Sequence, residues 1–165
     1  MKIRALVMDV DGTLTDGGIF IGVSGELMKK FYVRDGYAIK HMLPRMHILP
    51  IVITGRKSEI VARRCGELDI VHLCQGSVDK MTDLRRMLAQ EQIMLEETAY
   101  IGDDINDLEC LQAAALSGCP ADAAPEVQAA ADFIAPSPGG CGAVREFIEW
   151  IKANEKDIDS ERDNQ

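Results

Sequence analysis

The chain opens on an apolar run, residues 3–8, interrupted only by Arg4 and stopped by Asp9. A short run of this kind, without alternation, fits a strand covered on both faces, as in a parallel sheet held between helix layers. Residues 48–53 and 98–101 have the same character, and they stop at Thr54-Gly55 and Gly102-Asp103. Between and after them, residues 58–68, 77–92 and 107–115 have helical composition. Strands alternating with helices of this length indicate βαβ units. In such sheets ligands bind beyond the carboxyl ends of the strands, so the residues that stop each run are where chemistry is expected.

The fold class expected is α/β, a Rossmann-like open parallel sheet with helices on both faces. Local signals refine it. Ser58 can cap the first helix of the series, and Ser77, with Lys80 beyond it, opens the next. Residues 17–33 read as a β-hairpin turning at Ser24-Gly25, which places it above the end of the first strand. Asp35 suits the cap of a helix running to about Met46, with Pro44 inside it as a source of a kink. Residues 1–151 are expected to form one domain, and residues 152–165, with Ile158 their one large apolar side chain, a disordered polar tail.

Composition removes several alternatives. A chain of 165 residues buries roughly 70% of its unfolded surface and needs no disulfide or structural metal to hold a core. Cys65, Cys74, Cys110, Cys119 and Cys141 are odd in number and contain no C-x-x-C pair, which indicates reduced, mostly buried thiols. His41, His47 and His72 show no metal-ligand spacing. The formal charge of −9 disfavours nucleic acid and anionic membranes as partners. No apolar run reaches the ~18 residues of a membrane span, and the N-terminus lacks a signal-peptide core, so a cytoplasmic location is expected.

Chemistry concentrates at two strand ends. Asp9-Val10-Asp11-Gly12-Thr13 follows the first run, and Gly102-Asp103-Asp104-Ile105-Asn106-Asp107 follows a later one. Any one of these acids alone reads as a helix cap. Together they crowd carboxylates. Two unit charges ~4 Å apart cost about 4 kcal/mol at an effective dielectric of roughly 20, so the group calls for a bound cation. Hard oxygen donors favour Mg²⁺ over zinc. Between the acidic sites lie Thr54, at the end of the second run, and Lys80, at a helix start. A hydroxyl and an ammonium there suit phosphoryl oxygens, and the order Asp-x-Asp, Thr, Lys, Gly-Asp-Asp describes a phosphoryl-transfer site.

These four motifs resemble those of the haloacid dehalogenase superfamily. The resemblance implies that Asp9 is a nucleophile forming an aspartyl phosphate, and that Asp11 protonates the leaving alkoxide and then activates water. It further implies that Mg²⁺ is held by Asp9, the Asp11 carbonyl and Asp103, with Asp104 and Asp107 in support. Thr54, Gly55 and Lys80 would bind the phosphoryl group. Larger members insert a cap domain, for which the spans 15–54 and 54–80 leave no room.

A narrower resemblance rests on Asp11 through Gly17, Val33-Arg34-Asp35-Gly36-Tyr37, Thr54-Gly55-Arg56-Lys57-Ser58, Val61, Arg64, Gln75-Gly76 and Gly139 through Glu146. These are similar to the capless 3-deoxy-D-manno-octulosonate 8-phosphate phosphatases of lipopolysaccharide sugar synthesis. Membership implies a homotetramer whose hairpins meet centrally and whose neighbouring subunits complete each site. Arg56 and Arg64 are candidates for the sugar-acid carboxylate. A sister branch hydrolyses nine-carbon keto-deoxy sugar acid 9-phosphates and tends to carry an acid where this chain has Arg56. Three departures stand out: Cys141 in place of an Arg, Pro44 and His47 in place of a plainer helix ending in Gly, and a longer tail. Other readings are a loosely selective housekeeping phosphatase, a phospho-acceptor receiver domain, and a non-catalytic tetramerisation domain. A receiver's acceptor Asp lies on a middle strand, whereas here D-x-D opens the chain. A scaffold has no physical use for packed unpaired acids.

Overall fold

The computed structural model describes residues 2–162. Its first strand, β1 (Ala5–Met8), is fully buried along its length. The hairpin follows as β2 (Phe20–Gly22) and β3 (Gly25–Met28). Its turn is Val23-Ser24, one residue earlier than expected, because Gly25 at φ 119° is the position that takes the left-handed backbone and opens the return strand.

A continuous helical stretch then runs from α1 (Val33–Tyr37) through a π-helical segment (Ala38–Met42) to α2 (Leu43–Met46). It starts before Asp35, so Asp35 is not its cap. The Asp35 carboxylate is buried and accepts from the backbone N–H of Arg145 at 2.8 Å, so it serves the first turn of the last helix instead. At the kink expected for Pro44 the helix carries a widened π segment just before the proline. His47 ends the stretch at φ 58°, the conformation that glycine adopts most readily.

The remaining elements are β4 (Leu49–Thr54), α3 (Glu59–Glu67), β5 (His72–Gln75), α4 (Lys80–Gln90), β6 (Thr98–Ile101), α5 (Leu108–Ala113), β7 (Leu116–Cys119), α6 (Pro125–Ala130), β8 (Phe133–Ile134) and α7 (Ala143–Arg162). Ser58 caps α3 as expected. Asp79, not Ser77, caps α4, accepting from Thr82 N–H at 3.0 Å. Ser77 is held in the preceding loop, where its N–H donates to the Thr54 carbonyl at 3.1 Å. α7 extends as helical backbone as far as Arg162, into the span 152–165 expected as a polar tail. Residues 163–165 of that tail lie outside the described residues.

Six strands make one parallel sheet in the order β5-β4-β1-β6-β7-β8. Alternate side chains of β1 enter different cores. Leu6 and Met8 pack with Ile39, Leu43, Val61, Val144, Phe147 and Ile148 from one helix layer. Ala5 and Val7 pack with Met81, Leu84, Leu88, Leu111 and Val127 from the other. The chain builds outward from β1 to β5, then returns to β6 on the opposite side, so the sheet's switch point lies at the carboxyl ends of β1 and β6. Between Thr15 and Lys80 there are only the hairpin, helices and strands just named, with no inserted cap. Among the described residues, no helix is long and apolar enough to cross a membrane.

Burial, opposed by the N–H groups of Arg145 and Gly142, raises the Asp35 pKa to about 6. The folded value lies above the ordinary one, so the native state holds the proton more tightly. Stability therefore falls as pH rises from about 4 to about 6 and is level above that. Asp35→Asn removes this titration. We expect the variant's stability relative to the native protein to improve by about 2 kcal/mol between pH 4.5 and 7, measured by urea unfolding at both values. A difference that does not change with pH would refute the assignment.

Candidate active site

β1 delivers Asp9 to the switch point, and Asp9 N–H still donates to the Ile101 carbonyl of β6 at 3.0 Å. Gly12, at φ 95°, turns the chain directly afterwards. A side chain at that position would collide with the Asp103 carboxylate, so glycine keeps the space between the two strand ends open. Thr13 folds back and donates from Oγ1 to Asp103 Oδ1 at 3.0 Å.

Asp107 organises the second acidic loop. Its Oδ2 accepts from the N–H groups of Asp103 at 3.2 Å and Asp104 at 3.3 Å, while Oδ1 accepts from Tyr100 OH at 2.6 Å and Lys80 Nζ at 2.7 Å. Lys80 also donates to Asp9 Oδ1 at 2.7 Å. The whole arrangement is enclosed, with the Lys80 and Asp107 side chains 3% and 0% exposed. Burial would lower the Lys80 pKa, but Asp9 and Asp107 outweigh it and hold the ammonium above its usual range. Burial and the Asp107 charge push Tyr100 up as well.

One ammonium cannot neutralise the cluster. Burial first, then the Asp107 charge, raises Asp9 to about 8 against the pull of Lys80. Burial likewise raises Asp103 to about 6, opposed by the Thr13 hydrogen bond. Carboxyl oxygens of Asp9, Asp103 and Asp107 lie within 4.8 Å of one another. Both Asp107 oxygens already accept two hydrogen bonds each, so Asp9 and Asp103 are the donors left for a hard divalent cation, which their chemistry fits.

Asp9 and Asp103 floor a cleft of about 190 Å³ walled by Asp11, Thr54, Gly55, Arg56, Asp104 and Asn106. Thr54 arrives at the end of β4, one strand from β1. Asp104 caps the 3₁₀ turn Ile105–Asp107, accepting from Ile105 N–H at 2.8 Å. Arg56 stands half exposed, its Nε 3.8 Å from Asp11 Oδ2. Arg64 is the exception among the expected site residues. It lies on the face of α3 turned to the π-containing helical stretch, its guanidinium 5.7 Å from the Phe31 ring centre and 3.2 Å from Glu67. It does not line the cleft.

Sequence reading passed over Thr13, Asn106, Tyr100 and two hairpin residues, Glu26 and Lys29. The hairpin folds over the cleft so that Lys29 pairs with Asp11 and, at 2.9 Å, with Glu26. Glu26 in turn accepts from Ser58 Oγ. Three charges, Glu26, Lys29 and Lys30, within the otherwise uncharged residues 17–33 were the available signal.

The family model for haloacid dehalogenase-like hydrolases matches residues 54–148. The chain belongs to that family. Among haloacid dehalogenase-like hydrolases of known name, it is 43% identical over 150 residues to the 3-deoxy-D-manno-octulosonate 8-phosphate phosphatase KdsC of Salmonella typhi, covering 91% of this chain and 79% of the relative. The crystal structure of the same-named phosphatase from Yersinia pestis superposes with a TM-score of 0.87 at 42% identity, over 90% of this chain and 80% of that one. The Moraxella catarrhalis enzyme, solved with a magnesium ion, a phosphate ion and a KDO molecule, gives 0.89 at 38% identity, over 98% and 92%.

Asp107→Asn would turn an NH₂ group toward donors that now face an oxygen. We expect a loss of about 3 kcal/mol in urea unfolding, because a buried network is left unsatisfied. Asp104→Asn, at an exposed cap, should cost less than about 1 kcal/mol in the same measurement.

Proposed function

We propose that this chain is a Mg²⁺-dependent phosphomonoesterase acting on 3-deoxy-D-manno-octulosonate 8-phosphate. The observation that carries the reading is the buried Asp9–Lys80–Asp107 cluster, whose Asp9 joins Asp103 in a cleft that Asp11 and Thr54 border. The relatives' names and the ions in the Moraxella structure support the substrate and the metal.

Asp9, the acid at the floor of the cleft, attacks phosphorus through a carboxylate oxygen. The P–O ester bond breaks, and its electron pair leaves on the alkoxide oxygen, which Asp11 protonates. Asp11, now ionised, takes a proton from water as that water attacks the aspartyl phosphate, and inorganic phosphate leaves with Asp9 regenerated. Splitting one displacement into two keeps each barrier accessible. Lys80 has three N–H donors, of which Asp9 and Asp107 occupy two, so one remains for a phosphoryl oxygen. Thr54 and Gly55 border the same space. Mg²⁺, held by Asp9, Asp103 and the Asp11 carbonyl, would supply the charge neutralisation that phosphoryl transfer chiefly needs. It would also keep Asp9 ionised at neutral pH.

Arg56 is the proposed partner of the sugar-acid carboxylate, since it reaches the cleft wall with a planar donor fork. In one chain Arg64 does not reach that wall, so its contact with substrate would be in a neighbouring subunit's site. The proposed assembly is a homotetramer through the hairpin, whose Phe20, Ile21, Leu27 and Met28 are 47%, 70%, 61% and 55% exposed. Exposed large apolar side chains on both strands of one ribbon are suited to a second copy. We place the enzyme in the cytoplasm, in keeping with its reduced cysteines.

Phosphate release from the eight-carbon and the nine-carbon sugar-acid phosphates, with and without Mg²⁺, tests the reading. We expect activity only with Mg²⁺, a higher kcat/KM for the eight-carbon substrate, and a loss of at least about 10³-fold in Asp9→Asn with its thermal midpoint retained. A nine-carbon preference would overturn the substrate, and an active Asp9→Asn would overturn the nucleophile.

A further inference from the structure

The mechanism above assigns a lysine to the nucleophile but none to the second acid. Asp11 stands at the cleft wall, yet among the described residues its carboxylate meets only two side-chain partners, Lys29 on Oδ1 and Arg56 at 3.8 Å from Oδ2. They differ in kind. Arg56 is 48% exposed and lies beyond hydrogen-bond length, whereas the Lys29 side chain is wholly enclosed and donates directly. Lys29 does not line the cleft. It is anchored from behind by Glu26 at 2.9 Å, and Glu26 is held by Ser58 Oγ. Ser58 caps α3, and its N–H donates to Gln75 Oε1 at the end of β5, at 2.7 Å. A chain of polar contacts thus runs from β5, through the α3 cap and the hairpin, to Asp11.

We infer that Lys29 is a positioning residue for Asp11, fixing its carboxyl group for proton transfer at the leaving-group oxygen rather than binding the phosphoryl group. The inference rests on the acid role proposed for Asp11. With Oδ1 engaged by Lys29, Oδ2, beside Arg56, is the oxygen left to deliver the proton in the proposed step. In the first step that proton passes to the alkoxide oxygen as the P–O bond breaks, and the Lys29 ammonium stays protonated throughout. The hairpin sets the geometry. An isolated two-stranded ribbon is marginal on its own, and a one-residue slip would turn Lys29 to the opposite face.

Leaving-group dependence separates this role from a structural one. A primary alkoxide needs the proton to depart, and p-nitrophenolate departs with little help. The quantity kcat/KM reports steps up to that departure, so water activation does not enter it. With Mg²⁺ present, Lys29→Met should lower kcat/KM for 3-deoxy-D-manno-octulosonate 8-phosphate by about 100-fold and for p-nitrophenyl phosphate by less than about fivefold. The loss should fall in kcat, and Lys29→Arg should restore most of it. If Lys29→Met does not fold, Lys29→Gln, one atom shorter, uncharged and still a donor, carries the same comparison. A fall in the alkyl-to-aryl ratio supports the inference, and an unchanged ratio with active wild-type protein overturns it alone. Wild-type protein inactive on both substrates would overturn the phosphatase reading, and this inference with it.

Discussion

One buried ammonium is shared between two buried carboxylates, and the rest of the site is arranged around that sharing. Lys80 can stand there only because α4 is fixed at both levels. Asp79 caps its first turn, and Met81, Leu84, Met87 and Leu88 bury its apolar side against the sheet. Asp107 can stand there because its four accepted hydrogen bonds replace the water it has lost. Asp9 has less. Burial and the Asp107 charge push its carboxyl up to about 8 against the hydrogen bond from Lys80, so the fold itself leaves a demand for positive charge. A scaffold under no functional constraint would relieve that demand with an apolar residue, which is often more stable than a buried ion pair.

The parts of this arrangement legible in the sequence are those fixed by a strand's own composition. Residues 3–8, 48–53 and 98–101 are apolar throughout because both faces of their strands are covered, and each stops where polar groups must meet solvent or ligand. Asp9, Asp11, Thr54, Asp103 and Asp107 follow at once from those stops. β7 escaped because Leu116-Ser117-Gly118-Cys119 is a strand by tertiary pairing. Gly118 sits against Phe147, and Ser117 is satisfied by the Asp132 carboxylate, which accepts from its N–H at 2.9 Å and its hydroxyl at 2.8 Å. The same limit explains Asp35. Its spacing suits a helix cap, but the helix it serves is α7, 110 residues further along. Ser77 and Asp79 are equally good caps by type. The choice between them depends on a hydrogen bond from Ser77 to β4 that no local pattern records.

Lys29 belongs to the same class of contact, and it changes what the hairpin means. From the sequence, an assembly role for the hairpin is implied only by the family resemblance. In the fold it carries both exposed apolar and paired charged side chains. Phe20, Ile21, Leu27 and Met28 are exposed, while Lys29 meets Asp11 and Glu26 meets Ser58. Any partner that covers the apolar surface also stiffens the ribbon from which Lys29 reaches Asp11.

That division bears on how an uncapped cleft can be selective. The reacting groups need no lid, since Asp9 and Lys80 are each already only 5% exposed. The rim does. Arg56 is 48% exposed, and an ion pair between an exposed guanidinium and a sugar-acid carboxylate is worth about 0–1 kcal/mol in water. Discrimination between two sugar acids by that contact therefore requires water to be excluded from the rim. The proposed neighbours on the hairpin are the available means. On this view assembly acts on substrate choice, while the enclosed floor carries the chemistry within each chain, and the two meet at Lys29 and Glu26 of the hairpin.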